Sequence, residues 1–591
     1  MLEDGGGRET AGTPRGVRDE SFEGVTRWHT PGRAGRVRRE RRIARCAITL
    51  GYVTHSHDEH DESAAGARPP AGPGRQSDGS DGACPADTAG DAASALIAGA
   101  SGQVSNEALE QGSGLQRSLT NRHMQMIAIG GAIGTGLFVA SGATVSTAGP
   151  GGALVAYAAI GLMVLLLMQS LGEMTAHMPV AGSFQTYATR FVSPSFGFAM
   201  GWNYWFNWAI TVAAELVAAG IVMAYWLPGV PPWIWAALFL TLLTTLNALS
   251  ARAFGEGEFW LSAIKVVTVI VFLIAGVAMI AGIIGGRPAG LGNWTTGDAP
   301  FHGGMLAIVS VFMVAGFSFQ GTELVGVAAG EARNPRRDVP KAIHTVFWRI
   351  MIFYIGAIAV IGFLVPYTDP NLLRSDTSDI SYSPFTLVFE RAGIGIAAAL
   401  MNAVILTAVL SAGNSGLYAS TRMLHSMALQ GQAPAWFAYV NRHGVPVRAL
   451  GATALVGAAG FLTAVVGQDT AYTWLLNVSA LCGFIVWLGI AVCHFRFRRA
   501  YVLQGNDPAD LPYRAPWFPL GPVLAFSLCA LVILGQNYEA IFKGQLLEVL
   551  SSYIGLPVFG AIWLGHRLLS GSRTVRLEDA DVSGVVVHER H

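Results

Sequence analysis

Few ionisable residues fall inside the apolar runs of this 591-residue chain, and those few are where chemistry would sit. Glu215, Lys265 and Glu323 each lie within such a run, where a charge costs about 2.5 to 3.5 kcal/mol on membrane-insertion scales. Glu323 closes the string Gly316-Phe317-Ser318-Phe319-Gln320-Gly321-Thr322-Glu323. Its glycines make the string unsuited to continuous helix, and a carboxylate at a helix break is placed to meet a cationic side chain or a proton. Lys265 lies about four residues deeper than snorkelling from the loop at Arg252 would explain, although its long stem keeps that reading open. Burial penalises its charged form, so a lysine that releases its proton in one conformation and regains it in another is a workable coupling device. Glu215 admits two readings, a substrate or proton path and a structural partner. Glu331 and Glu173 stand near the ends of their runs, within reach of water. Asn414 lies in the small, polar run Ser411 to Gly416, for which site and packing readings both stand. The aromatic stretch Trp202 to Trp208 reads as helix packing.

Glycine supplies the second signal. Gly130, Gly131, Gly134 and Gly136 fall within seven residues, and each costs about 1 kcal/mol of helix propensity relative to alanine, so the helix there is weak enough to unwind. Unwinding in lipid requires that the freed amides and carbonyls face protein, water or a ligand. The same glycines would also serve close helix packing. Two interrupted runs lying five runs apart favour a binding site at the midplane, with half-helix N-termini donating to an anion and freed carbonyls accepting from a cation. An amino-acid zwitterion has both groups. Thr135, beside the amides of Gly134 and Gly136, is suited to gripping an α-carboxylate.

The elements that position these residues follow from composition. The chain is 52% hydrophobic and 13% charged, which points to a surface that meets lipid. Lys plus Arg equal Asp plus Glu at 38 each, so no nucleic-acid partner is indicated. The five cysteines lack C-x-x-C spacing, and neither a disulfide framework nor a metal site is expected. From Met124 onward, twelve apolar runs of membrane-crossing length are predicted: Met124 to Ser146, Gly152 to Gly172, Phe196 to Trp226, Trp233 to Ala248, Phe259 to Gly282, Met305 to Val327, Ile350 to Val365, Ile394 to Tyr418, Leu450 to Val466, Tyr472 to Cys493, Leu520 to Tyr538 and Val549 to Leu564. Arginine and lysine gather in alternate loops: Arg190; Arg252; Arg333, Arg336, Arg337 and Lys341; Arg422, Arg442 and Arg448; Arg496, Arg498, Arg499 and Arg514. The opposite loops hold little beyond Arg287, Arg374, Arg391 and Lys543. An even number of spans with both termini cytosolic satisfies that pattern. Residues 1–114 are polar and arginine-rich and are expected to form a disordered cytosolic extension, or to reflect a start site assigned too far upstream. The histidine and acid tract His55 to Asp61 within it reads as solvated rather than metal-binding, and no cleavable signal peptide is expected.

From about Leu115 to Arg576 the chain resembles the bacterial amino-acid permeases of the amino acid-polyamine-organocation superfamily, and among them the lysine-specific ones. The matching strings are Ile127 to Gly131, Ile133 to Thr144, Ala148 to Leu154 leading to Leu171-Gly172-Glu173, Gly201 to Trp205, Gly316 to Leu324 continuing into Ala328 to Glu331, and Asn414 to Arg422. The resemblance implies an all-α integral membrane protein of 12 transmembrane helices over residues 115–570. It implies an inverted 5+5 repeat (LeuT-like) with discontinuous helices 1 and 6, two extra C-terminal helices and a cytosolic tail over 571–591. It further implies proton-coupled import of an amino acid, lysine or another basic one, across a bacterial inner membrane, with no cofactor. Ile133, Gly134, Thr135 and Gly136 would hold the substrate backbone, Phe317 and Gln320 would line the pocket, Glu323 and Glu331 would bear on lysine selection, and Lys265 with Glu323 would couple the proton. Two departures stand out: the long N-terminal extension, and Glu215, where close relatives are expected to carry aspartate. Two alternatives remain, a permease for neutral, aromatic or histidine-type amino acids and a transporter-like sensor signalling through the N-terminal arm. Within the apolar runs there is no histidine pair at haem spacing and no nucleophile elbow, so an enzyme is the least favoured class.

Overall fold

The computed structural model describes residues 118–131, 133–180, 182–373, 383–391 and 395–584. The N-terminal extension, with the tract His55 to Asp61, and the last seven residues of the tail lie outside them. The described residues are helical apart from turns and one isolated parallel bridge between Leu119 and Ala332. In hydrocarbon every backbone donor and acceptor must be satisfied within its own segment, and a helix does that for long apolar runs.

Apart from four helices of four or five residues, the α-helices in chain order are α1 (Asn121–Gly130), α2 (Ser141–His177), α3 (Ser183–Phe191), α4 (Pro194–Ala224), α5 (Pro232–Leu249), α6 (Ala251–Ile280), α7 (Gly304–Ser310), α8 (Phe312–Phe317), α9 (Leu324–Ala328), α10 (Pro335–Arg349), α11 (Gly356–Leu364), α12 (Pro384–Arg391), α13 (Gly395–Leu429), α14 (Val447–Gly457), α15 (Gln468–Leu503), α16 (Leu520–Gly535), α17 (Leu546–Tyr553) and α18 (Gly555–Ser570). Ser193 begins α4 by accepting from the Phe196 amide at 3.1 Å, with Pro194 at the first helical position, where its missing N–H is no loss. Along most of its length α4 is buried on every side, packed on α13 and α15, and it forms the axis of the molecule. By contrast α6 turns Trp260, Val267, Val271, Ile274 and Val277 outward, an apolar stripe suited to lipid.

Eight helical stretches among the described residues are long and apolar enough to cross a membrane, and Gly304–Phe317 and Leu520–Gly535 are shorter apolar helices. The chain is therefore a multi-pass membrane protein. The difference from the twelve runs read in the sequence has local causes. The runs around Met124 to Ser146 and Gly152 to Gly172 are joined without a loop: helix continues to His177, and only Gly149, at φ +75°, and Pro150 divide it. At 1.5 Å per residue the 37 residues of α2 would extend about 56 Å if straight, well beyond a hydrocarbon core of about 30 Å, so the bend at Gly149 makes two segments of it. A Cβ at Gly149 would stand 2.6 Å from the Pro300 carbonyl oxygen, which reserves the position for glycine. The sixth run is cut between α8 and α9, and the last at Ile554 between α17 and α18.

Most of the arginines counted above with the loops lie inside helices, and two of them meet buried acids. Arg422 on α13 pairs with Glu331, and Arg498 on α15 meets Glu173, whose carboxylate also accepts from the Ala515 amide at 2.7 Å. Both arginines are buried. Beyond α18 the chain folds back over the ends of α2, α3 and α15. Val575 N–H donates to the Val192 carbonyl at 2.9 Å, His177 Nε2 stands 2.9 Å from the Val582 carbonyl, and Gln504 donates to the carbonyls of Leu577 and Ala580 at 3.0 and 2.7 Å. Arg190 completes the seam through Asp581 at 3.1 Å.

Candidate functional site

The glycine cluster near the start of the membrane domain breaks the helix as its composition predicts. Helix α1 ends at Gly130, the chain turns through Gly131 and Ile133, and winding resumes at Thr135 with a wide π turn over Gly136–Ala140. A helix end leaves carbonyls without partners and concentrates partial negative charge there. Two buried cations meet that charge. The Lys265 ammonium, on α6, donates to the carbonyls of Gly130 at 2.5 Å and Ile133 at 2.9 Å. Arg349, at the end of α10, donates to the Ala128 carbonyl and to Thr322 Oγ1, the latter at 2.6 Å, so its guanidinium spans both interruptions.

The second interruption follows α8. Tight turns link the amides of Phe319, Gln320 and Thr322 to the carbonyls of Gly316, Phe317 and Phe319, and Gly321 sits at φ +95°. Glu323 folds back onto this turn, where its Oε2 accepts from the Gly321 amide at 3.2 Å and from Trp487 Nε1 at 3.3 Å. Gln320 reaches the other way and donates to the carbonyls of Ser479 and Ala480, both at 3.2 Å. The interruptions touch: a Cβ on Gly136 would lie 2.5 Å from Ser318 Cα.

Between them is a void of about 20 Å³ lined by Gly131, Gly134, Gly136, Trp208, Thr211, Glu215, Phe317, Gln320 and Ala412. That is room for about one water and far less than an amino acid occupies, so a solute enters only as the walls separate. Glu215 is the single charged residue in this lining. Its Oε1 accepts from the Thr135 hydroxyl at 3.2 Å, while Oε2 is buried with no hydrogen-bond partner among the described residues. A carboxylate oxygen left in this way is a costly arrangement unless a proton or cation joins it.

Of the residues singled out from sequence, Gly134, Gly136, Phe317, Gln320 and Glu215 line the void, with Ile133 and Thr135 in the same backbone turn. Thr135 spends its hydroxyl on Glu215 in this conformation rather than leaving it free for a carboxylate. Lys265 and Glu323 support the two turns from behind. Glu331 lies apart, accepting from Arg422 Nε and from the Tyr418 hydroxyl, both at 2.8 Å. Asn414 belongs to a separate polar group, with its Oδ1 accepting from Asn247 at 2.8 Å and its amide donating to Glu258 at 3.3 Å.

The sequence reading missed Glu258 and Arg349, each of which directly precedes a predicted apolar run; it read Trp208 as helix packing and passed over Thr211. The last two were legible: Trp208, Thr211 and Glu215 follow one another at helical spacings of three and four on one face of α4.

A multi-pass bundle in which two interrupted helices meet at a small void holding one acid points to a class, the membrane solute transporters. Residues 123–575 match the family described as "Amino acid permease", and the chain belongs to it. It is 58% identical over 479 residues to the "Lysine-specific permease LysP" of Escherichia coli (strain K12), covering 80% of this chain and 98% of that protein. The lysine-specific permease of Lactococcus lactis subsp. cremoris (strain MG1363) is 49% identical, covering 79% and 93%, and the "Histidine permease HisP" of the same organism 44%, covering 80% and 99%. These relatives are permeases, not enzymes.

Proposed function

We propose that this permease imports lysine, or another basic amino acid, together with a proton across a bacterial inner membrane. Its reading is a twelve-helix inverted repeat with both termini in the cytosol, working by alternating access around the two interruptions. The observation that carries the preference for a basic solute is Glu215, the single charge among the residues lining the void. The names of the two lysine-specific relatives support the same choice.

In this reading the backbone groups of Ile133 to Gly136 and of the turn after Phe317 hold the α-amino and α-carboxylate groups, and Phe317 and Gln320 withdraw to make room. Glu215 meets the cationic end of the solute. Glu323 holds the second turn in shape through Gly321 and Trp487, and Glu331 ties the segment after that turn to α13. Lys265 in its charged form clasps the Gly130 and Ile133 carbonyls with charge-assisted hydrogen bonds, about twice as strong as neutral ones. Release of its proton loosens the first turn, and that is the coupling step.

Uptake of labelled lysine into proteoliposomes under an imposed pH gradient tests this directly, with unlabelled amino acids as competitors. Accumulation should follow the gradient, and arginine or ornithine should compete better than leucine or phenylalanine. Uptake indifferent to the gradient would remove the proton from this account. Histidine belongs in the panel because a histidine permease is 44% identical.

A further inference from the structure

We propose that Glu258 is the group that takes the proton from Lys265 and hands it on toward the end of α6 that begins at Ala251. The proposal rests on the proton-coupled reading above, under which that end faces the cytosol. Glu258 is fully buried and lies two helical turns before Lys265 on the same helix. Its Oε1 stands 4.0 Å from Lys265 Nζ. The carboxylate is already dressed with donors: Ser262 at 2.9 Å and Ser411 at 2.6 Å on Oε1, and Asn414 at 3.3 Å on Oε2.

The geometry selects which proton leaves. An ammonium has three N–H bonds and a neutral amine keeps two. Two are what the Gly130 and Ile133 carbonyls require, at 2.5 and 2.9 Å. The third is free to go to the acceptor at 4.0 Å. In the transfer the Lys265 Nζ–H bond breaks and a Glu258 Oε1–H bond forms, leaving an amine and a carboxylic acid. The acid O–H then breaks onto a water entering from the Ala251 end, giving hydronium and restoring the carboxylate. The other ionisable groups facing the pair, from the helices packed on α6 and from the site itself, are few. They are Glu215 on α4, Arg349 on α10, Tyr418 stacked on Phe254 from α13, and, at the helix start, His123 and Arg122 of α1 beside Glu256. Among the described residues none of these places a carboxylate within 4.0 Å of Lys265, and Glu258 does.

The test uses the full chain in proteoliposomes with a pH dye in the lumen. It compares lysine uptake driven by a pH gradient with lysine–lysine exchange at equal pH. For Glu258→Gln the ratio of gradient-driven uptake to exchange should fall at least tenfold, with a matching loss of dye signal. An unchanged ratio overturns the proposal. So does an equal loss of both activities in a protein that lysine still stabilises against heat, because Glu258 would then only position its neighbours. If Glu258→Gln does not fold, Ser411→Ala decides. Ser411 gives Oε1 the shorter of its two hydrogen bonds, so its loss should shift the pH profile of uptake, and an unmoved profile overturns the proposal. Failure of the underlying reading looks different, since wild-type uptake would itself ignore the gradient.

Discussion

Glu331 is a buried acid held by Arg422 and Tyr418, and these contacts say what its removal should do. Its side chain is 0% exposed and that of Arg422 1%, with Nε and Oε1 2.8 Å apart. Arg422 also lies 4.2 Å from the centre of the Tyr418 ring, and Tyr418 gives Glu331 a second hydrogen bond. Breaking a buried pair by removing one partner costs about 3 to 5 kcal/mol, since the survivor is left as an uncompensated charge. That corresponds to roughly two to four powers of ten in the folding equilibrium. Arg422→Met and Glu331→Gln should therefore each lower the thermal midpoint in detergent markedly, the first leaving a buried carboxylate and the second a buried guanidinium without its counter-charge. The double variant Glu331→Gln, Arg422→Met should recover at least half of the loss seen with Arg422→Met alone, because neither charge remains. Melting curves from tryptophan fluorescence, with and without lysine, provide the measurement, and competition by leucine and histidine reports selectivity alongside. The reasoning is refuted if the two single effects simply add, or if Glu331→Gln changes the ranking of substrates while leaving the melting point untouched. The first result would show the two side chains to be uncoupled, and the second would place Glu331 against the solute rather than against Arg422.

Glu215→Gln should weaken lysine binding by about 10- to 150-fold, the worth of roughly 1.5 to 3 kcal/mol for a hydrogen bond to a charged group, while a neutral competitor gains on lysine. Equal losses for lysine and leucine would count against it. Lys265→Met should abolish gradient-driven accumulation and leave lysine–lysine exchange measurable; persistence of accumulation would exclude this lysine from coupling. Gly136→Ala should reduce uptake at least tenfold, because the added methyl would sit 2.5 Å from Ser318 Cα and force the interruptions apart, and near-normal transport would show that the contact opens freely. Deleting residues 2 to 114 should leave uptake nearly unchanged, whereas binding that survives while a cellular response disappears would favour the sensor reading.

The membrane class, the two interruptions and most of the void's lining were legible from the chain, for a common reason. Glycine content and apolar periodicity are local properties, and local properties decide where a helix can break and which face it buries. The two buried charges that were missed show where such reading stops. Glu258 directly precedes the run predicted to begin at Phe259, and Arg349 the run predicted to begin at Ile350. A search for apolar stretches ends at the first charge, yet α6 starts at Ala251 and α10 leads through Arg349 into the following turns. What a charge costs depends on its partners, and these are remote: Arg349 finds Ala128 across 221 residues and Glu323 finds Trp487 across 164. Thr135 is the same lesson at smaller range, its hydroxyl committed to an acid 80 residues away.

The returning tail has a consequence for biogenesis. The Val192 carbonyl, the Arg190 guanidinium and the His177 ring are made early, yet their partners at Val575, Asp581 and Val582 leave the ribosome about 400 residues later. At a synthesis rate of roughly 5 to 20 residues per second, that surface waits on the order of a minute or less with its bonding groups open to water or to a chaperone. Closing the seam therefore follows synthesis of every helix in between, and a chain stalled or clipped before Val575 would leave that surface open.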